Sequence, residues 1–295
     1  MRFASATIQG AAAWGIVNGG RFYIASDRLP HQTLKEAIGA RALEEAGELC
    51  DRLSSVALDG LHWDPVIPNP GKILCVGLNY DTHRREAGRA STPYPTFFTR
   101  FADTQIGHEA PMVMPGLSDN LDFEAELAVI IGVGGRAVPA SHALEHIAGF
   151  ACYNDGSVRD WQRHTTQWTP GKNFPGTGAF GPWMTTPEEF GDYKSKRIRT
   201  ILNGEVMQDA SLEDMIFSVG ALIEYASSFT PLSPGDVIVT GTPGGVGATR
   251  NPPLFMKPGD VVSVAIDGVG ELSNCIIREA PRNNRRADHF YQTAV

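Results

Sequence analysis

The chain has 295 residues, of which 42% are hydrophobic and 20% charged, and its formal net charge is −8 at pH 7. This composition is that of an ordinary globular protein, which excludes a mostly disordered chain, and the length suits one large domain or two unequal ones. The acidic balance and the lack of a basic run argue against nucleic acid as a partner. No run of 18 apolar residues occurs, so no membrane partner is expected.

The glycine, proline and cysteine contents narrow the class of protein further. The 32 glycines and 20 prolines exceed average usage and indicate many turns, which favours short strands over a helical bundle. The four cysteines show no Cys-x-x-Cys spacing, so neither a zinc knuckle nor a disulfide framework is predicted. The first residues lack the apolar stretch of a secretory signal, and together these features predict a cytoplasmic protein.

Residues 1–68 predict a small N-terminal α+β domain. Two apolar runs flank the Asn-Gly-Gly sequence at 18–20, which is typical of a hairpin turn because Asn and Gly tolerate positive φ. The apolar spacing over 33–53 predicts one helix. Three prolines within 64–71 then predict a linker, since proline interrupts helices and central strands.

Residues 69–280 predict a larger, β-rich domain. Apolar runs indicate buried strands at 73–76, 127–131, 147–151, 236–240 and 260–266. Helical patterns are modest, at 141–148 and 211–228. With so few crossover helices the fold class is mixed α+β and not a doubly wound sheet. The final residues, 281–295, predict a loosely attached tail.

Two glutamates mark the densest chemical signal. Glu124 and Glu126 lie two residues apart at the start of an apolar strand, so both carboxylates leave the same face. On a buried face they raise each other's pKa unless a cation neutralises them, and oxygen ligands favour Mg²⁺, Mn²⁺ or Ca²⁺ over zinc. Taken alone, the pair is also what a solvated strand end looks like.

Two downstream residues extend this signal. Asp155 stands where an apolar run opens into a loop, although Asn-Asp-Gly is also an ordinary turn. Lys172 lies in a stretch rich in glycine and aromatic residues, whereas most lysines are simply solvated.

A third signal is the pair His83 and Glu86, three residues apart, which share one face of a helical turn. A carboxylate bonded to one ring nitrogen fixes the tautomer and raises the basicity of the other, as a general base requires. The same pair is common on ordinary protein surfaces.

Neither glycine-rich stretch reads as a nucleotide site. The stretch at 176–181 matches G-x-G-x-x-G but follows no strand and opens no helix. The stretch at 240–247 lacks the Gly-Lys-Ser/Thr ending of a phosphate loop, yet its backbone N–H groups suit an anionic ligand.

In chain order, five blocks resemble those of the fumarylacetoacetate hydrolase family. They are Asn79-Tyr80-x-x-His83-x-x-Glu86, Asp122-Phe123-Glu124-Ala125-Glu126-Leu127, Asn154-Asp155 with Arg159-Asp160-x-Gln162, Gly171-Lys172 with Gly181-Pro182-Trp183, and Thr240-Gly241-Thr242-Pro243-Gly244-Gly245-Val246-Gly247. The resemblance spans 71–279. It implies a mixed β-sheet roll as the catalytic domain, a small variable N-terminal domain, a divalent metal and a homodimer.

The resemblance also implies roles for these residues. Glu124, Glu126 and Asp155 match the positions that bind Mg²⁺ or Mn²⁺. Lys172 matches a charge near the substrate oxygens, and His83 with Glu86 matches a catalytic dyad on a mobile lid.

The resemblance also implies residues that bind the substrate. It places Gln162 in the pocket wall, and it implies that Thr242 and Gly241 contact a carboxylate or carbonyl group of the substrate. Arg100 is expected to contact the substrate too. It stands where many small members of the family have Lys-Pro, a departure that bears on substrate identity.

These parts suit a small anionic oxo acid as substrate. The leading hypothesis is a metal-dependent hydrolase that cleaves a C–C bond in a diketo acid or acylpyruvate, in which His83 activates water and the metal stabilises an enolate. The same scaffold serves a decarboxylase of oxaloacetate type, a keto–enol isomerase or an isomerase of hydroxymuconate-like acids. A metal-dependent binding protein without turnover is the alternative from another class.

Overall fold

A computed structural model describes residues 1–280 of the chain, so the predicted tail at 281–295 lies outside the described residues. The described part is a strand-rich α+β structure, as the sequence predicts. Among these residues, no helix has the length and apolar character needed to cross a bilayer.

A large mixed sheet forms the body of the fold. Its strands are β1 (Arg2–Ile8), β2 (Ala11–Asn18), β3 (Arg21–Ile24), β4 (Ser55–Ala57), β5 (His62–Trp63), β6 (Ile73–Gly77), β7 (Thr96–Arg100), β8 (Gln105–Ile106), β11 (Ala125–Ile131), β12 (Ile147–Asp155), β14 (Gly178–Thr185) and β17 (Val237–Val239). They run in the order β4-β3-β2-β1-β14-β12-β11-β17-β6-β7, with β5 beside β1 and β8 beside β14. Most pairs are antiparallel, and β17 and β6 are parallel.

Two smaller sheets complete the β structure. Their strands are β9 (Met112–Met114), β10 (Leu121–Asp122), β13 (Ser157–Val158), β15 (Arg197–Leu202), β16 (Glu205–Ser211), β18 (Val261–Ile266) and β19 (Gly270–Arg278). One sheet has the order β16-β15-β18-β19-β9, and the other pairs β10 with β13.

The helices are short. They are α1 (Leu34–Gly39), α2 (Leu43–Glu48), α3 (Asp81–Glu86), α4 (Arg159–Gln162), α5 (Thr169–Lys172), α6 (Pro187–Phe190) and α7 (Val219–Phe229). Ser218 caps α7 by accepting a hydrogen bond from the Ala221 N–H group. The predicted helical pattern at 211–228 therefore corresponds to a short 3₁₀ turn followed by one real helix.

Two N-terminal predictions have different outcomes. The hairpin at 18–20 is confirmed: Gly19 and Gly20 both have positive φ, of 55° and 74°, as a two-residue turn matched to strand twist requires. The single helix over 33–53 is wrong. It breaks into α1, α2 and a 3₁₀ turn because Arg41 adopts φ 58° between the two helices.

The helix predicted at 141–148 is also wrong. Only a 3₁₀ turn forms over Ala143–His146, and Ile147 already begins β12. The strand predicted at 147–151 is therefore the one that forms, since the β-sheet pairing of this apolar run outweighs its weak helical pattern.

The first strands are continuous with the rest of the sheet. Phe3 on β1 pairs with Met184 on β14, and Trp14 belongs to the same buried cluster as Ile130 and Tyr153. The structure joins both sides of position 68/69 through one sheet and one shared buried cluster, and the division of the chain there stays a prediction.

Strand direction brings distant segments to one edge of the sheet. The start of β11 lies beside the ends of its antiparallel neighbours β12 and β17. The end of β17 in turn lies beside the end of β6, with which it runs parallel. The residues that follow or precede these strand ends therefore meet, and those residues are the predicted functional ones.

Candidate functional site

Three buried carboxylates meet where β11 begins and β12 ends. Ala125 pairs with Asn154, and the Asp155 N–H group donates to the Glu124 carbonyl at 2.9 Å. Glu124, Glu126 and Asp155 are 4%, 2% and 0% exposed, and each offers an oxygen within 4.8 Å of the others. The three carboxylates that the resemblance matches to metal ligands therefore lie together in the structure.

Two cations contact Glu124. The Nζ atom of Lys172 lies 2.6 Å from Oε2 of Glu124 and 2.6 Å from Oδ2 of Asp155. The Nη2 atom of Arg159 lies 2.7 Å from Oε1 of Glu124. Burial favours a raised pKa of Glu124, but Arg159 and Lys172 outweigh it, and its pKa lies well below the usual value.

Lys172 remains a cation in this setting. Burial works to lower its pKa, but the neighbouring carboxylates Asp155 and Glu124 outweigh that effect, and the net shift of the Lys172 pKa is upward. A fixed positive charge therefore lies beside the carboxylate cluster.

Glu126 differs from its two neighbours. Among residues 1–280 no ion pair includes it, and its Oε2 atom accepts the Gly241 N–H group at 2.5 Å. Burial raises the pKa of Glu126 well above the usual value, and the negative charges of Asp155 and Glu124 raise it further. A cation shared by the three carboxylates would relieve this repulsion. Three carboxylate oxygens are a donor set for hard divalent ions, so these residues fit Mg²⁺ or Mn²⁺.

A cavity of about 370 Å³ opens onto the carboxylates. Its wall contains two of the three predicted metal ligands and most of the other predicted site residues, namely His83, Glu124, Glu126, Gln162, Lys172 and Thr242. The volume lies in the range of small-molecule sites.

The predicted dyad forms on α3, directly after β6. The Nδ1 atom of His83 lies 2.7 Å from Oε1 of Glu86. Because Nδ1 faces a carboxylate it carries the hydrogen, which leaves Nε2 as the basic nitrogen. His83 lines the cavity, so an activated base stands in the same wall as the carboxylates.

Hydrogen bonds join this helix to the glycine-rich loop that follows β17. Oε2 of Glu86 accepts the Gly245 N–H group at 2.8 Å, and Oγ1 of Thr82 accepts the Gly244 N–H group at 3.1 Å. Burial alone raises the pKa of Glu86, but the bonds from His83 and Gly245 outweigh it, and the pKa is lowered. The segment predicted to be a lid is thus held against this loop.

Thr242 and Gln162 stand in the cavity wall, and each has a fixed partner. Oγ1 of Thr242 accepts a hydrogen bond from Nε2 of Gln208 at 2.9 Å, which leaves its hydroxyl hydrogen for another acceptor. Oε1 of Gln162 accepts from Nη1 of Arg159 at 3.0 Å, which leaves its amide N–H groups for a ligand.

Arg100 is a correction to the predicted site. Its side chain is 0% exposed and lies behind Asp155, where Nη1 donates to Oδ1 at 2.5 Å and Nη2 donates to Thr177 Oγ1 at 2.8 Å. Three strands of the sheet, β11, β17 and β6, separate β7 from β12, so this contact requires the sheet to curl into a roll. Arg100 therefore holds a candidate metal ligand and does not line the cavity.

Gly241 is a second correction. Its φ is 97°, and its N–H group is taken up by Glu126 instead of a substrate. A Cβ atom at this position would lie 2.7 Å from the Cβ atom of Asn79, whose amide donates to the Thr240 carbonyl. Glycine is required here because the loop and the β6–α3 segment approach so closely.

Asp122 and Arg159 are buried residues of the sequence blocks for which the sequence predicts no role. Oδ2 of Asp122 accepts from Nε of Arg159 at 2.8 Å and from the Ala248 N–H group at 2.9 Å, and Oδ1 accepts from Gly247. Asp122 thereby connects Arg159 to the glycine-rich loop. Their place inside blocks that also hold the predicted ligands was the available signal.

Gln208 was missed altogether. It lies on β16 in the second sheet, yet its Oε1 atom accepts the Ala125 N–H group at 3.0 Å beside both glutamates. Nothing in its local sequence distinguishes it from an ordinary strand residue.

The chain is similar in sequence to several known proteins. The family model described as the fumarylacetoacetate (FAA) hydrolase C-terminal domain matches residues 72–277. The mitochondrial oxaloacetate tautomerase fahd2 of Xenopus laevis is 40% identical over 213 residues, which are 72% of this chain and 67% of that protein. The human protein FAHD2A, of the same description, is 39% identical over 72% of this chain and 68% of its own length.

Solved structures show the same fold. Fumarylacetoacetate hydrolase from the psychrophile Exiguobacterium antarcticum superposes with a TM-score of 0.85 at 31% identity, and 5-carboxymethyl-2-hydroxymuconate delta-isomerase from Mycobacterium smegmatis with 0.77 at 29%. Maleylpyruvate hydrolase from Sphingobium sp. SYK-6, in complex with manganese(II) and pyruvate, gives 0.80 at 25%. Each match covers 95% of this chain and 100% of the other.

These similarities support some of the remaining expectations and leave others untested. The similar proteins are named as enzymes of small organic acids, and one of the structures holds Mn²⁺. The two relatives are named as mitochondrial, so a cytoplasmic location stays a prediction, as does the homodimer.

Proposed function

The chain belongs to the fumarylacetoacetate hydrolase family, and from that premise we propose that it is a divalent-metal-dependent tautomerase of a small 2-oxo acid of the oxaloacetate type. One observation carries the proposal: His83, which is paired with Glu86, lies in the wall of the same cavity as two of the three clustered carboxylates. Keto–enol interconversion needs a base that moves a proton at carbon and positive charge near the carbonyl oxygen.

Glu124, Glu126 and Asp155 would hold the ion, Mg²⁺ or Mn²⁺, through one oxygen each. When bound, such an ion supplies a Lewis acid that polarises the carbonyl group of a 2-oxo acid. The remaining chemistry falls to side chains of this chain.

The base in this scheme is Nε2 of His83. It takes a proton from the carbon next to the carbonyl group, the C–H electron pair forms the C=C bond, and the carbonyl π electrons move onto oxygen. Glu86 keeps the hydrogen on Nδ1 and stabilises the imidazolium that forms. Lys172 adds positive charge beside the developing oxyanion. The imidazolium of His83 then gives its proton to that oxygen, which completes the enol and restores the neutral base.

Hydrolysis of a C–C bond is the second candidate, and the similarity to maleylpyruvate hydrolase favours it. In that reaction His83 takes the proton from a water molecule, and the hydroxide attacks a carbonyl carbon beyond the 2-oxo acid group. The sequence favoured hydrolysis. The relatives of higher identity are named as tautomerases, which moves proton transfer at carbon to first place.

The test is a product analysis of the purified protein with Mg²⁺ or Mn²⁺. Oxaloacetate is supplied in its enol form and its decay is followed by ultraviolet absorbance, while CO₂ release is measured in parallel. Acylpyruvates are supplied separately, and mass spectrometry looks for a second carboxylic acid. Accelerated enol decay without CO₂ supports the tautomerase, whereas cleavage supports the hydrolase and CO₂ a decarboxylase.

Binding of oxaloacetate with none of these reactions, under either metal, would overturn the proposal in favour of a binding protein. The dyad argues against that outcome, because binding of an acid needs no base beside it.

A further inference from the structure

Two arginines stand at the exposed end of the cavity. Arg89 follows α3, three residues after Glu86, and Arg163 follows α4 directly after Gln162. Both line the cavity and both are exposed, whereas Glu124, Glu126 and Lys172 at the other end are buried.

The structure holds the backbone of both arginines in place. The Arg89 N–H group donates to the Arg84 carbonyl at 3.0 Å, and Nη1 of Arg84 donates to the Arg89 carbonyl at 2.7 Å. The Arg163 N–H group donates to the Asp160 carbonyl at 3.1 Å. Both arginines therefore belong to backbone segments that are fixed by hydrogen bonds.

Within residues 1–280, neither guanidinium group takes part in an ion pair or donates a hydrogen bond. The other two long cations of the cavity wall differ in this respect. Arg159 is held by Asp122, and Lys172 by Glu124 and Asp155. Two positive charges thus remain for a ligand.

The cavity wall carries more positive than negative side chains, which favours an anionic ligand. Four cationic side chains in it (Arg89, Arg159, Arg163 and Lys172) face two carboxylates, although the chain as a whole carries −8. The hydroxyl of Thr166 adds a hydrogen-bond donor to the same wall. A guanidinium group binds a carboxylate through two parallel N–H···O bonds.

We propose that Arg89 and Arg163 form a subsite for a second carboxylate, so that the enzyme selects dicarboxylic 2-oxo acids over monocarboxylic ones. This inference rests on the proposed function, which places the reacting 2-oxo acid group at the buried end beside Lys172. The second carboxylate then lies at the exposed end, between segments that follow α3 and α4.

The kinetic test uses oxaloacetate and its 4-methyl ester, which differ in the second carboxylate alone. In the double variant Arg89→Gln/Arg163→Gln we expect KM for oxaloacetate to rise at least about tenfold with kcat nearly unchanged, because a contact made equally in ground and transition states is lost. KM for the ester should not move. Arg85→Gln, an exposed arginine on α3 outside the cavity wall, is the matched control.

A binding test separates this inference from the proposed function, since it needs no turnover. Succinate and its monomethyl ester are titrated calorimetrically into the Mn²⁺-loaded protein. We expect tighter binding of succinate, and loss of that preference in the double variant. Equal binding of both probes by the wild type, or an unchanged preference in the double variant, would overturn the subsite whatever reaction the enzyme catalyses.

Discussion

The Nδ1 atom of His83 lies 2.7 Å from Oε1 of Glu86, and the other oxygen of that carboxylate accepts the N–H group of Gly245. The imidazole is therefore oriented by a group that is itself held by the glycine-rich loop. A base prepared in this way, in the wall of a cavity that also exposes a carboxylate cluster, is the arrangement on which the proposed chemistry depends.

Removal of the base should slow turnover strongly and leave metal binding intact. We expect His83→Ala to lower kcat by about 10²- to 10⁴-fold, the usual contribution of general base catalysis. Its affinity for Mn²⁺ should stay near that of the wild type, because the imidazole is not among the clustered oxygen donors. His142→Ala is the control, since His142 has the same spacing to Glu145 but is exposed and outside the cavity. Full activity in His83→Ala would refute the assignment of the base.

Glu86→Gln should show a pH-dependent loss of stability. Because the pKa of Glu86 is lowered in the fold, the ionised carboxylate stabilises the native state above the ordinary glutamate pKa of about 4.3. That contribution disappears as the pH falls through the lowered pKa. Urea unfolding should therefore find the variant less stable than the wild type at pH 7, with a difference that shrinks on acidification. A difference that is constant with pH would contradict the prediction.

Arg100→Lys tests the role that the structure gives this arginine. Lysine keeps the buried charge but cannot reach Asp155, Gly156 and Thr177 together. We expect Mn²⁺ affinity, measured by calorimetry, to fall by about 10- to 100-fold, as when other groups that orient a metal ligand are lost. The Mn²⁺ affinity should fall less in Thr177→Val, a variant that removes one acceptor and no charge. Unchanged affinity in a folded Arg100→Lys protein would show that Asp155 needs no such support.

Gly241→Ala should destabilise the fold through both its backbone and its neighbours. A side chain at positive φ costs about 1–2 kcal/mol, and here the added Cβ would also lie 2.7 Å from Asn79. Gly259 has a similar φ of 95° and open space around it, so Gly259→Ala isolates the first cost. The free energy of unfolding should fall further in Gly241→Ala than in Gly259→Ala. Equal losses would mean that the loop moves freely away from Asn79.

Much of the site was predictable because its residues carry local patterns. The two-residue spacing of Glu124 and Glu126 fixes a common face, and the three-residue spacing of His83 and Glu86 fixes a helical pair. Asp155 was predictable only from the order of the sequence blocks. The strand register explains why it lies opposite Glu124.

The errors come from contacts that local sequence does not encode. The resemblance implies that Arg100 contacts the substrate, because it stands where many family members have Lys-Pro, but curling of the sheet buries it behind Asp155. Gln208 reaches Ala125 from another sheet, across 83 residues of chain. The helix predicted over 33–53 failed at Arg41, where a backbone turn overrides the apolar spacing.

The central claim is that three carboxylates share one divalent ion, and a calorimetric titration of Mn²⁺ into wild type and Glu126→Gln tests it most directly. Glu126 is the member of the cluster without a cationic partner in the described residues, so its amide variant leaves the other ion pairs in place. The account predicts one tight ion per wild-type chain and an affinity at least about 100-fold weaker in the variant, since even supporting groups contribute 10- to 100-fold. Equal affinity in the two proteins would contradict it.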